Sequence, residues 1–128
     1  MAIRVVRLGS PRTAGEGPRL GTVRRPPRGI PKAEHASRDF YDVWLPDLAP
    51  SEALLKQALQ APDERAWRAF VKKYRAEMKR PEASRLLALL ATLSCQTNFS
   101  VGCYCQDETH CHRSVLRELL EEHGAKLT

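Results

Sequence analysis

Three of the four cysteines, Cys103, Cys105 and Cys111, fall within nine residues of the stretch VGCYCQDETHCHRSVLRELL (101–120), alongside His110 and His112. Thiols and imidazoles at this density allow four chemistries: a soft-metal site, a nucleophilic thiol, an anion-binding turn, or plain packing. The preceding alternation in NFSVGCYC (98–105) is that of a strand. It places Phe99, Val101, Cys103 and Cys105 on one face and Ser100, Gly102 and Tyr104 on the other. After the loop QDETH the spacing predicts a helix from about 112 to 123, with Val115, Leu116, Leu119 and Leu120 inward and Gly124 as its stop. The chemistry-bearing residues therefore stand where a strand ends and a helix begins, the place where α/β sheets gather ligands.

A helix start presents free N–H groups and about half a positive charge, so acidic residues belong in its first turn. Here that turn carries His112 and Arg113, with His110 just before it. A cation at such a position costs roughly 0.3–1 kcal/mol. The pattern points to an anion held jointly by the N–H groups and Arg113; local neutralisation by Asp107 and Glu108 is the plainer alternative. Cys111 gains thiolate character from the helix start and its flanking histidines. Cys105, at the strand end, offers a second thiol. Cys105, Cys111 and His112 are thus the candidate catalytic residues, while Cys103 and Cys95 read as small buried hydrophobes. Zinc competes, since Cys103, Cys105, Cys111 and His112 are ligands of the right type. The C-x-C…C-H spacing lacks the paired knuckles of structural zinc sites, however, and adjacent Cys111 and His112 would both have to turn toward one ion. The expectation is no metal and no cofactor, with zinc the lesser reading.

The elements that must position these groups follow from patterning. IRVVRL (3–8) reads as a strand, and GSPRTAGEGPRLG, with four glycines and two prolines, as a flexible loop over about 9–21. TVRRPPRGIPK (22–32) begins as a short strand that its prolines cut off, so Arg24, Arg25 and Arg28 emerge at a strand end. Phe40, Tyr41 and Trp44 form an aromatic cluster expected to pack on the core. Ser51 and Asp63 are N-caps of two helices, the first buried through Leu54, Leu55, Ala58 and Leu59. The second is buried through Trp67, Phe70, Val71, Tyr74 and Met78. Pro81 opens a third, leucine-rich helix. Helices between apolar strands define an α/β fold: a single three-layer domain over 1–128, with a mainly parallel sheet flanked by helices.

Composition narrows the function. The chain has 128 residues with 42% hydrophobic content and no apolar run long enough for a membrane span, and its first residues are too charged for an export signal. A cytoplasmic protein with reduced thiols is the expectation. The net charge of +6 is concentrated at the start, where residues 1–38 hold nine Arg and Lys against two Glu. Such a segment suits an anionic partner. The leading expectation is an enzyme or sensor acting on a phosphate- or carboxylate-bearing small molecule, with Arg25, Arg28 and Arg113 as anion-binding residues. The alternatives are a nucleic-acid-binding module using 4–32 and a non-catalytic interaction domain. Trp44 and Trp67 read as buried rather than displayed for base stacking.

VGCYCQDETHCHRSVL resembles the C-terminal signature of the YeaO-like domain-of-unknown-function family, in which a strand leads into C-x-C and C-H-R opens a helix. TVRRPPRGIPK is similar to that family's V-D-R-x-W-P-R-G segment, and LPDLAPSEALL and FVKKYRAEM resemble its middle blocks. Arg25, Arg28 and Gly29 match the first block; Asp47, Pro50 and Ser51 match the second; Cys103, Cys105, Cys111, His112 and Arg113 match the last. Arg24 stands where the family has aspartate, and Pro26-Pro27 replaces a longer stretch with tryptophan. The resemblance implies a small α/β domain and implies no particular activity.

Overall fold

The computed structural model describes residues 1–60, 63–106 and 108–128. The side chain of Leu59, assigned to the first helix's buried stripe, and the whole of Asp107, the suggested neutralising group, lie outside what is described. Four strands, β1 (Ile3–Arg7), β2 (Arg19–Gly21), β3 (Val43–Trp44) and β4 (Phe99–Cys103), form one all-parallel sheet in the order β1-β4-β2-β3. Four helices follow the caps read from the sequence: α1 (Glu52–Gln60), α2 (Glu64–Glu77), α3 (Pro81–Leu93) and α4 (His112–Glu122). Ser51 Oγ accepts from the Leu54 amide at 3.3 Å and Asp63 Oδ1 from the Ala66 amide at 2.7 Å, so two of the orphan donors at the helix starts are satisfied as expected. The single α/β domain with a parallel sheet stands.

Three local expectations change. The second strand lies at Arg19–Gly21 rather than from residue 22, because Pro18 and Gly17 end the loop early and the Arg19 amide finds Asp42 at 2.7 Å. Cys95 is exposed just beyond α3 rather than packed. Trp44 is 43% exposed on the edge strand, with its indole N–H donating to the Val23 carbonyl at 2.8 Å. Trp44 is thus no core residue.

Buried residues of all four helices share one core with the β-strand residues Ile3, Phe99 and Val101. The stripe of α2 contributes Phe70 and Tyr74, and Tyr74 also donates to the Leu48 carbonyl at 2.6 Å. The opposite face is covered by loops in place of helices. There Leu8, Val23 and Tyr41 pack with Val6, Phe40 and Tyr104. Glu16 and Arg19, both within the 9–21 segment, are buried as an ion pair at 2.6 Å. Since Arg19 pairs in register with Ser100, its side chain lies on the Ser100–Gly102 side of the sheet.

β4 is buried at every position, as a central parallel strand must be. Its neighbours outrun it at the carboxyl edge. The Leu8 amide donates to Cys103 O at 2.8 Å, and the Thr22 amide and hydroxyl donate to Gly102 O at 3.0 and 2.9 Å. Gly102 permits this closeness: a Cβ there would lie 2.6 Å from Leu8 Cδ2 and 2.8 Å from the Val6 carbonyl oxygen. Gly102→Ala is therefore expected to destabilise the fold by about 1–3 kcal/mol through overpacking. A denaturant midpoint equal to wild type would refute that account.

Candidate functional site

The end of β4 and the start of α4 bring three thiols into one cluster. Cys103 Sγ lies 3.6 Å from Cys105 Sγ and 3.2 Å from Cys111 Sγ. Cys103 and Cys111 are buried, and Cys105 is exposed. Two features of the local chain produce this. Residues 103 and 105 project to one side by strand alternation. Cys111 is the N-cap of α4 in extended conformation (φ −124°, ψ 148°), which turns its side chain back toward the strand end. Cys111 fills the place where Ser, Thr, Asp or Asn would normally accept from the first turn. Cys103 thus packs as the sequence suggested, but against sulfur, and the adjacent Cys111 and His112 do turn toward one point.

His112 is buried and its Nε2 lies 2.6 Å from the Thr22 carbonyl oxygen. A carbonyl only accepts, so Nε2 carries the proton and Nδ1 is left with its lone pair. Nδ1 lies 3.9 Å from Cys111 Sγ. Burial lowers the imidazole pKa to about 4, against the opposing pull of the Thr22 carbonyl, so His112 is neutral at pH 7. The Tyr74 ring stands edge-on to it at 5.6 Å.

The thiols form a chain of donors in which Cys111 donates to Cys103 and Cys103 to Cys105. Cys105 is consequently held well below the ordinary thiol range, first by the Cys103 and Cys111 thiols and then by nearby positive charge including Arg113. Cys103 is pushed up by its bonds to Cys105 and Cys111 and by burial. Cys111 rises to about 11, the lowering influence of the neighbouring Cys103 being outweighed by Cys105 and by burial. One thiolate per cluster is the arrangement charge repulsion permits, and it falls on the exposed sulfur.

Arg113, buried at 4% exposure, donates from Nη2 to the Cys105 carbonyl at 2.6 Å. Its Nε has no hydrogen-bond partner among the described residues. The first turn of α4 contains no acidic residue. Glu108, suggested as a neutraliser, is spent on Arg117 at 2.8 Å. The Arg25 carbonyl accepts from the hydroxyl of Tyr104, the residue between Cys103 and Cys105, at 2.8 Å. Arg25 pairs with Glu52 at 2.9 Å on the surface, and Arg28 is exposed in the following loop. Arg24, in the position where the resembled family has aspartate, donates to the Pro46, Ala49 and Pro50 carbonyls ahead of α1. The structure thus gathers Cys105, Cys111, His112 and Arg113, and adds Cys103.

Thr22 and Tyr74 are site residues that sequence reasoning missed. Thr22 acts through its backbone carbonyl, which carries no side-chain signal. Tyr74 is a core residue whose ring happens to wall the imidazole.

A parallel α/β domain with a thiol cluster at the carboxyl end of its central strand is what the fold and site define. The chain belongs to the domain-of-unknown-function 488 family: residues 3–124 match the group described as the active DUF488-N3 subclade. No curated protein and no solved structure matches it. The matched span takes in every strand, every helix and the whole thiol cluster. No helix among the described residues is long and apolar enough to cross a membrane.

Proposed function

We propose that this protein is a thiol-dependent enzyme acting on a phosphate- or carboxylate-bearing small molecule, with Cys105 as the nucleophile. One observation carries the reading. Of three converging thiols, Cys105 alone is exposed, and the buried pair are arranged to donate toward it. A thiolate, not a thiol, is the attacking species, and donated hydrogen bonds favour it. Arg113 fixes the backbone of Cys105 and adds charge beside the sulfur, while its unpartnered Nε and the acid-free first turn of α4 favour an anionic group nearby. The C-x-C…C-H-R arrangement also favours the finer, YeaO-like assignment within the family. Nucleic-acid binding has less support, because Arg12, Arg19, Arg24 and Arg25 of the basic segment are engaged by the protein's own carboxylates and carbonyls.

Cys95 supplies the internal control, being exposed and, among the described residues, in no sulfur contact with the cluster. Metal-free protein treated briefly with iodoacetamide at neutral pH, then mapped by mass spectrometry, is expected to carry the label at Cys105 at least about 10-fold faster than at Cys95, in line with the reactivity of activated thiolates. Cys103 and Cys111 should stay unlabelled. Equal rates at Cys95 and Cys105 would end the nucleophile reading.

A further inference from the structure

We propose that Cys103, Cys111 and His112 bind one zinc ion, with Cys105 as the fourth ligand. The three buried donor atoms lie within 4.8 Å of one another, on residues whose contacts are already those of a coordination shell. Zinc–sulfur bonds of about 2.3 Å and zinc–nitrogen bonds of about 2.0–2.1 Å give tetrahedral edges of roughly 3.7 Å between sulfurs and roughly 3.5 Å between sulfur and nitrogen. The separations here are 3.2 Å and 3.6 Å for the sulfurs and 3.9 Å from Cys111 Sγ to His112 Nδ1. Shifts of a few tenths of an ångström suffice for these pairs, whereas Cys105, which stands outside the 4.8 Å group, reaches the ion only when its exposed segment beyond β4 moves inward.

His112 gives the second, independent argument. A ligating imidazole needs its free nitrogen toward the metal and its N–H held by an outer acceptor. The Thr22 carbonyl provides that acceptor at 2.6 Å and leaves Nδ1 on the thiol side. Charge gives the third. Three thiolates on a divalent ion leave one negative charge, and Arg113, donating to the Cys105 carbonyl, stands beside it with no carboxylate partner among the described residues. The soft sulfur-rich donor set and its tetrahedral spacing select zinc over the hard cations, which take oxygen ligands.

The ligand spacing differs from that of the familiar zinc folds, because two ligands come from a strand end and two from a helix start. β4 ends and α4 begins there, and the short connection between them lets the C-x-C and C-H pairs meet. The proposal stands apart from the nucleophile reading, and a zinc-bound thiolate at the exposed Cys105 position is compatible with both.

The test is a titration of metal-free, full-length protein with Co(II) and then Zn(II). The expected result is a sulfur-to-cobalt charge-transfer band that saturates at one ion per chain and is displaced by one equivalent of zinc. His112→Asn should weaken zinc binding by more than the roughly 10–100-fold that loss of an outer partner alone costs. Cys95→Ser should change nothing. Absence of a saturating band in folded wild-type protein overturns the site, and so does a band that survives unchanged in both His112→Asn and Cys111→Ser. Because neither readout measures alkylation or turnover, an inert Cys105 with intact metal binding would refute only the enzyme reading. A reactive Cys105 without metal binding would refute only this one.

Discussion

Glu16→Ala is expected to destabilise the fold by about 3–5 kcal/mol, the cost of removing one partner from a buried ion pair. Arg19 is 1% exposed and Glu16 3%. Every N–H of Arg19 has an acceptor. Nε and Nη2 bond Glu16 at 2.6 and 3.1 Å, Nη1 bonds the Ser10 and Asp39 carbonyls at 2.8 and 2.7 Å, and Nη2 also reaches Pro11 at 3.2 Å. Without Glu16 the carbonyls remain, but a whole positive charge is left buried against the sheet. Burial alone would raise the Glu16 carboxyl; its bonds to Arg19 and the Thr13 amide outweigh that and hold it below the usual glutamate range. A carboxyl depressed in the folded state stabilises above its unfolded value and loses that contribution as pH falls through its folded value. Wild type should therefore lose stability below the ordinary glutamate range, near pH 4.5 and under, and Glu16→Gln should lack that share of the acid loss. Urea midpoints across an acid pH series would reveal it, and parallel curves for the two proteins would dismiss it.

Arg113→Met separates function from stability. A buried cation with no carboxylate partner among the described residues is a cost to the fold, and apolar replacements of buried charges are often neutral or stabilising. The midpoint of unfolding should stay within about 1 kcal/mol of wild type or rise, since the exposed Cys105 segment can give its carbonyl to water. Reactivity should move the other way. An opposite charge within a few ångströms lowers an acid by about 1–3 units, so the pH profile of Cys105 alkylation in metal-free protein should shift upward by at least about 1 unit. A large loss of stability with an unmoved profile would make Arg113 a purely structural residue.

The helices and the site's location were legible in the sequence because both rest on local rules. Ser51, Asp63 and Pro81 mark helix starts through their own chemistry, and the α2 stripe follows from residue spacing. The junction at 103–113 followed from strand alternation and a cationic helix start. The partners of that junction were not legible, since they are long-range. Thr22 meets His112 across 90 positions, through a carbonyl that any residue would have supplied. Nor did the sequence distinguish a packed Cys103 from one in contact with two other sulfurs, because burial and clustering give the same pattern. Nor does a leucine-rich pattern say which leucines of α3 are spare: Leu89 and Leu93 are 53% and 39% exposed.

The strand order carries a consequence for how the molecule comes into being. β4, last in sequence, lies between β1 and β2, and these two touch the sheet only through it or, for β2, through the two-residue β3. During synthesis the first ninety-odd residues therefore have helices but only the short β2–β3 pair to fold onto. Ordering must wait for the final segment, the one that brings the clustered sulfurs with it. Closing the fold and assembling the thiol cluster are then a single late event. A chain halted before Phe99 would hold neither.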